Sequence, residues 1–202
     1  MLTLTDFAVP PLAAFSGLVS AGDCIVLSGP SGTGKSRFLY ALVDLIPHQG
    51  RATLWDTGAD AMAPAQWRRQ VMLVPQEPAW WEAAVAAHFP VQPGDDDLQA
   101  VGLAPAVMSQ PVQELSTGQR QRLGILRALA LTPSVLLLDE PTAHLDAASA
   151  GQVEALIQRF LQETGKAVIW VSHDPAQARR VGNAFWQIRD GRIETGQTLE
   201  AG

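Results

Sequence analysis

At 202 residues the chain is long enough to bury one sizeable core. Hydrophobic content of 47% with 17% charged residues excludes a disordered segment. A net charge of −6 excludes the basic excess that a nucleic-acid surface needs, so no nucleic-acid partner is expected.

No apolar run approaches the roughly 18 residues that span a bilayer. The start, Met1-Leu2-Thr3-Leu4-Thr5-Asp6, lacks the basic end and long apolar stretch of a secretion signal. A soluble, cytoplasmic chain is expected. The single cysteine, Cys24, can form no intramolecular disulfide and reads as a small core residue.

In chain order, Leu2-Thr3-Leu4 starts a strand, Pro10-Pro11 breaks it, and Ala21-Gly22-Asp23 turns into the apolar run Cys24 to Ser28, a buried strand. Gly29-Pro30-Ser31-Gly32-Thr33-Gly34-Lys35-Ser36 follows and matches the phosphate-loop pattern G-x-x-x-x-G-K-[ST] without a mismatch. A polyphosphate needs many donors at short range. Gly32 and Gly34 let successive backbone N–H groups point inward. Lys35 would reach the outer phosphates, and the Ser36 hydroxyl would ligate Mg2+. Arg37 to Leu45 reads as a helix with Phe38, Leu39, Leu42 and Ile46 on one face, its positive end toward the phosphates.

Gly50 to Trp55 and Gln70 to Val74 read as further strands. Residues 78 to 130 hold alanine-rich helical stretches broken by prolines. Asp95-Asp96-Asp97 there reads as a solvated helix start, not a metal site. Gln119 to Leu131 reads as a helix, Val135 to Leu138 as a strand buried on both faces. Asp146 to Glu163 is an amphipathic helix with Val153, Leu156, Ile157, Phe160 and Leu161 on one stripe, ended by Gly165. Ala167 to Val171 is another buried strand, and Asp190-Gly191 marks a hairpin. Strands alternating with helices predict an α/β fold with a mainly parallel sheet and helices on both faces.

Val135 to Leu138 delivers Asp139 and Glu140 to a strand's C-terminal end, where parallel sheets bind ligands. Asp139 suits a Mg2+ ligand; Glu140 suits a general base or a group that positions water.

Leu115-Ser116-Thr117-Gly118-Gln119 resembles the Leu-Ser-Gly-Gly-Gln signature of ATP-binding-cassette (ABC) ATPases. Other elements of that family stand in the expected order. Gln76 resembles the Q-loop glutamine, Ala143-His144-Leu145-Asp146 the D-loop, and His173 the switch histidine. The resemblance runs from about residue 2 to residue 195. It implies a P-loop NTPase fold: a RecA-like core, an antiparallel β part from the N-terminal third, and a helical subdomain inserted at about 78–130 of a single 1–202 domain. It implies a head-to-tail homodimer with two ATP molecules sandwiched, each on residues 29–37 of one subunit and under Ser116, Gly118 and Gln119 of the other, with Asp146 at the same junction. Glu140, His173 and Gln76 would carry hydrolysis; Ser36, Gln76 and Asp139 would hold Mg2+. A separate membrane permease is implied, with the chain peripheral on the inner face of the cell membrane.

Three departures stand out. Thr117 replaces a signature glycine, which costs stability if its φ must be positive. Arg37 replaces the common threonine, and its backbone N–H still suits the α-phosphate. No tyrosine precedes the loop, so Phe7 is the candidate for stacking on adenine, with Phe15 second.

Trp80-Trp81 follows Gln76 in a region where family members receive the permease. Neighbouring side chains there cannot both face one core easily, so an exposed aromatic would fit docking. The details look most like small bacterial subunits for iron export, with haem export an alternative cargo. Two other classes are weighed. Only 38 residues separate Gln76 from Leu115, too few for the coiled-coil insertion of a DNA-maintenance ATPase. A monomeric P-loop kinase has no reason to carry both the signature and His173. With so short a C-terminus, no regulatory domain is expected.

Overall fold

The computed structural model describes residues 1–196. The chain runs β1 (Leu2–Val9), β2 (Leu12–Val19), β3 (Cys24–Ser28), α1 (Lys35–Leu42), β4 (Gln49–Leu54), β5 (Thr57–Gly58), α2 (Pro64–Gln70) and β6 (Val71–Val74). It continues with α3 (Asp95–Ala100), α4 (Thr117–Leu129), β7 (Val135–Asp139), α5 (Ala147–Thr164), β8 (Ala167–Val171), α6 (Pro175–Val181), β9 (Ala184–Arg189) and β10 (Arg192–Gly196).

Two sheets form. One is antiparallel, in the order β2-β1-β4-β5; the other has six strands, β10-β9-β3-β8-β7-β6, parallel except for β10. The second is buried on both faces, which is why β7 and β8 are continuous apolar runs. Side chains alternate along each strand, so each feeds two cores. Leu136, Leu138, Val168 and Trp170 point to the core under α4, α5 and α6. Val135, Leu137, Ile169 and Val171 point to the core shared with α1 and the antiparallel sheet. The second face is therefore closed by α1, by Trp67 of α2 and by the antiparallel sheet, not by helices alone.

Boundaries move where capping overrides periodicity. The helix after the phosphate loop starts at Lys35 and stops at Leu42, because Asp44 takes a positive φ of 54°. α4 starts at Thr117, two residues early, because Ser116 and Gln119 form a capping box. Between β6 and β7 the expected helical stretches are short turns apart from α3 and α4; residues 105–109, for example, form a 3-10 turn that opens on Pro105. Asp95, Asp96 and Asp97 do open a helix, α3. Among the described residues no helix is long and apolar enough to cross a membrane.

Register puts the chemistry at one edge. Leu27 pairs with Val171, Val171 with Asp139, and Leu138 with Val74. The segments carrying residues 29–37, Glu140, His173 and Gln76 all leave the sheet at the carboxyl ends of adjacent parallel strands.

Candidate nucleotide site

The loop after β3 holds its own shape. Gly32 and Gly34 take φ of 78° and 102°, a region where a side chain is strained. A Cβ on Gly34 would also sit 3.1 Å from Pro11 Cδ. Lys35 is buried, and its Nζ donates to the carbonyls of Gly29 and Pro30 at 2.8 and 3.0 Å. Thr33 Oγ1 donates to Pro30 O at 2.8 Å. Gly29, Pro30, Ser31 and Ser36 thus border a cradle whose cation is already in place. Arg37 Nε donates to Pro10 O at 2.8 Å, tying the cradle to the β1–β2 turn.

Asp139 ends β7 buried. Burial pushes its carboxyl above the usual range and Glu140 adds to this; the Ser36 hydroxyl, hydrogen-bonded to it, and Lys35 pull the other way. Glu140 follows with a φ of 48°, a costly conformation for a residue with a Cβ. Its Oε2 lies 3.5 Å from His173 Nδ1, and His173 is 68% exposed at the imidazole. Lys35, Ser36, Asp139, Glu140 and His173 are therefore brought together. Gln76 is exposed two residues beyond β6.

The signature segment lies elsewhere. Among the described residues no hydrogen bond joins Ser116, Gly118 or Gln119 to residues 29–37. Ser116 N–H donates to Gln119 Oε1 at 2.9 Å, and Gln119 N–H to Ser116 Oγ at 3.2 Å. Gln119 spends its carbonyl on this cap. Gly118 abuts Leu145 and His144, which a Cβ would meet at 3.0 and 3.7 Å. Asp146 caps α5, its carboxylate accepting from Ser149 N at 2.8 Å and Ser149 Oγ at 3.1 Å; these bonds hold it below its ordinary range. Thr117 is the first residue of α4 and its φ is not positive, so the loss of the signature glycine strains nothing.

One expectation fails. Phe7 is fully buried, stacked on His48 with centroids 4.5 Å apart and edge-on to Phe38 at 5.7 Å. No face is left for adenine. The cause is the register shift between Leu4 and Phe7, with Asp6 at a φ of 48°. It turns Phe7 to the same inner face as Leu2 and Leu4. Phe15 is buried too, against Trp186 at 4.9 Å. The segment that flanks Gly34 and Arg37 is Pro10-Pro11.

Reasoning from sequence also missed a polar cluster beside Glu140. Thr142, Glu154, Ser172, Gln177 and Arg180 line a cavity of about 570 Å3 with Glu140 and His173. The available signal was Gln177, four residues past His173 on a helix opened by Asp174-Pro175.

A phosphate cradle, an acidic strand end and an exposed imidazole on a parallel sheet define a P-loop nucleotide-binding domain. Residues 12–143 match the family model described as ABC transporter. The chain is 33% identical over 166 residues to an ATP-binding protein of Escherichia coli, FetA, named for iron export, matching 76% of this chain and 74% of that one. It is 34% identical over 196 residues to an ABC transporter ATP-binding protein of Sinorhizobium fredii, y4tS, named for peptides. That match takes in 87% of this chain and spans about half, 56%, of the relative. The fold superimposes on the ATP-binding cassette MJ0796, solved as a dimer with ADP and Pi, at a TM-score of 0.84 and 22% identity over all of both chains. The chain belongs to the ABC transporter ATP-binding family.

Proposed function

We propose that this chain is one cassette, with residues of about 78–130 as its inserted helical subdomain, and that it hydrolyses ATP to drive a separate membrane permease. Two copies close head to tail on two ATP molecules. The convergence of Lys35, Ser36, Asp139, Glu140 and His173 at adjacent strand ends carries this reading.

Residues 29–37 wrap the phosphates with backbone N–H groups, and Lys35 exchanges its loop carbonyls for phosphate oxygen. Ser36 and Asp139 are oxygen donors already in contact, the kind a hard cation takes, so they and exposed Gln76 would hold Mg2+. When bound, Mg2+ offsets phosphate charge. Glu140 orients water and takes its proton, and His173, in contact with it, faces the terminal phosphate. The N-terminus of α4, where Ser116 and Thr117 are exposed, presents backbone donors to the partner's ATP, as its capping geometry and dipole favour.

Docking falls to the loop after β6. Trp81 is 67% exposed, while Trp80 packs on the core. Arg127 lies over both rings at 4.7 and 5.0 Å and donates to Ala79 O at 3.0 Å, which holds the loop to α4. We place the chain on the cytoplasmic face of the membrane through this contact. Iron export is one cargo its relatives' names support and peptides another; the cargo touches the permease, not this chain.

Glu140→Gln is the test. It should keep ATP binding, lose at least about 100-fold in turnover, and run as an ATP-dependent dimer on gel filtration. Hydrolysis at the parental rate would remove Glu140 from this role.

A further inference from the structure

The cavity beside Glu140 and His173 contains a buried amide that the scheme above does not use. Gln177, in the first turn of α6, is 7% exposed. Its Nε2 donates to Thr142 Oγ1 at 2.8 Å and to Glu154 Oε1 at 3.0 Å. Its Oε1 accepts from Ser172 Oγ at 2.9 Å. With two donors and the acceptor engaged, the amide has one orientation. Glu154 is itself fixed by Arg180, at 3.0 Å from Nε to Oε2 and 2.8 Å from Nη2 to Oε1.

The partners are informative. Thr142 stands two residues after Glu140, and Ser172 stands immediately before His173. The geometry points to Gln177 as a positioning residue for hydrolysis: its amide fastens the turn after Glu140 to the residue before His173, and so sets the 3.5 Å approach of carboxylate to imidazole. Without it, among the described residues, the side-chain contact left between these two loops from neighbouring strands is that 3.5 Å pair. A displacement of about 1 Å between such groups costs up to about 100-fold in rate. The inference rests on the roles given to Glu140 and His173.

The charged groups facing this amide are Glu154 on α5, Arg180 and Asp174 on α6 and its cap, and Glu140 and His173 on the two loops. A carboxylate at position 177 would meet Glu154 as a like charge; a protonated carboxyl would keep one donor and one acceptor.

Steady-state ATPase kinetics and fluorescent-nucleotide binding on the purified full chain test this. Gln177→Leu should lower kcat by about tenfold or more, with KM and nucleotide Kd within about twofold. Thr142→Val, which removes one acceptor at nearly constant volume, should lower kcat less, and adding it to Gln177→Leu should cost nothing further. Gln177→Glu should be as slow as Gln177→Leu at alkaline pH and recover, relative to the parent, as pH falls. Parental kcat in Gln177→Leu overturns the proposal; so does parental kcat in Thr142→Val if the leucine variant does not fold. A Gln177→Glu profile that superimposes on the parent's also overturns it, as does loss of kcat matched by loss of nucleotide affinity. Full turnover by Glu140→Gln would instead sink the underlying assignment.

Discussion

Glu140 is the strained residue at the centre of the site, held at a φ of 48° where β7 ends. Such strain persists only where surrounding structure enforces it. Here Pro141 follows it buried and Thr142 is pinned by Gln177. Lys35 offers the complementary test. Its Nζ is already inside the cradle, so Lys35→Ala should remove a charge-assisted contact and weaken ATP binding by about 10- to 100-fold, read by nucleotide titration. Cys24 shows the opposite case of a side chain with no chemistry. Burial pushes its thiol up to about 12, with a further push from Asp23. The thiolate is the nucleophile, so the folded protein should resist a maleimide at pH 8 and react only once unfolded, as mass spectrometry would show.

Among the elements, α5 was the most legible in the sequence. Its apolar stripe is buried as spaced, Asp146 caps it, and Gly165 closes it with a φ of 62°. A Cβ on Gly165 meets nothing within 4 Å, so only backbone strain opposes substitution. Gly165→Ala should cost about 1 kcal/mol in urea unfolding, and Gly165→Asn less. β1 was legible as a strand but not in its facing. Alternation from Leu2 would send Phe7 outward; the bulge reverses it, and no composition signal marks a bulge at Thr5-Asp6. The region between β6 and β7 was legible only in part. Alanine favours helix, but frequent prolines cut the segment into turns too short to propagate.

At the scale of the whole molecule, the site in one chain is half a site on the proposed reading. Residues 29–37, Asp139, Glu140 and His173 gather at one edge, while Ser116 and Gly118 open a helix that touches Leu145 instead. On the proposed reading a second copy supplies what is missing. The proposed permease surface is a separate matter and should separate experimentally. Trp81→Ala removes an exposed ring and leaves the cradle untouched. It should keep ATP affinity within about twofold and weaken co-purification with the permease by about tenfold. Full assembly would assign the ring elsewhere.

The sequence by itself determined the family, the phosphate loop, the acidic strand end and the alternation of the main buried strands with α1, α4 and α5; it left α2 and α6 unread. The features it determined depend on local backbone needs and on spacings that one short segment satisfies alone. Only the tertiary structure decided that Phe7 is core, that Thr117 is unstrained, and that Gln177 joins the loops of Glu140 and His173. Each of those turns on which side chains meet across strands and helices far apart in the chain, and a hydrogen bond between residues 142 and 177 leaves no pattern in either segment.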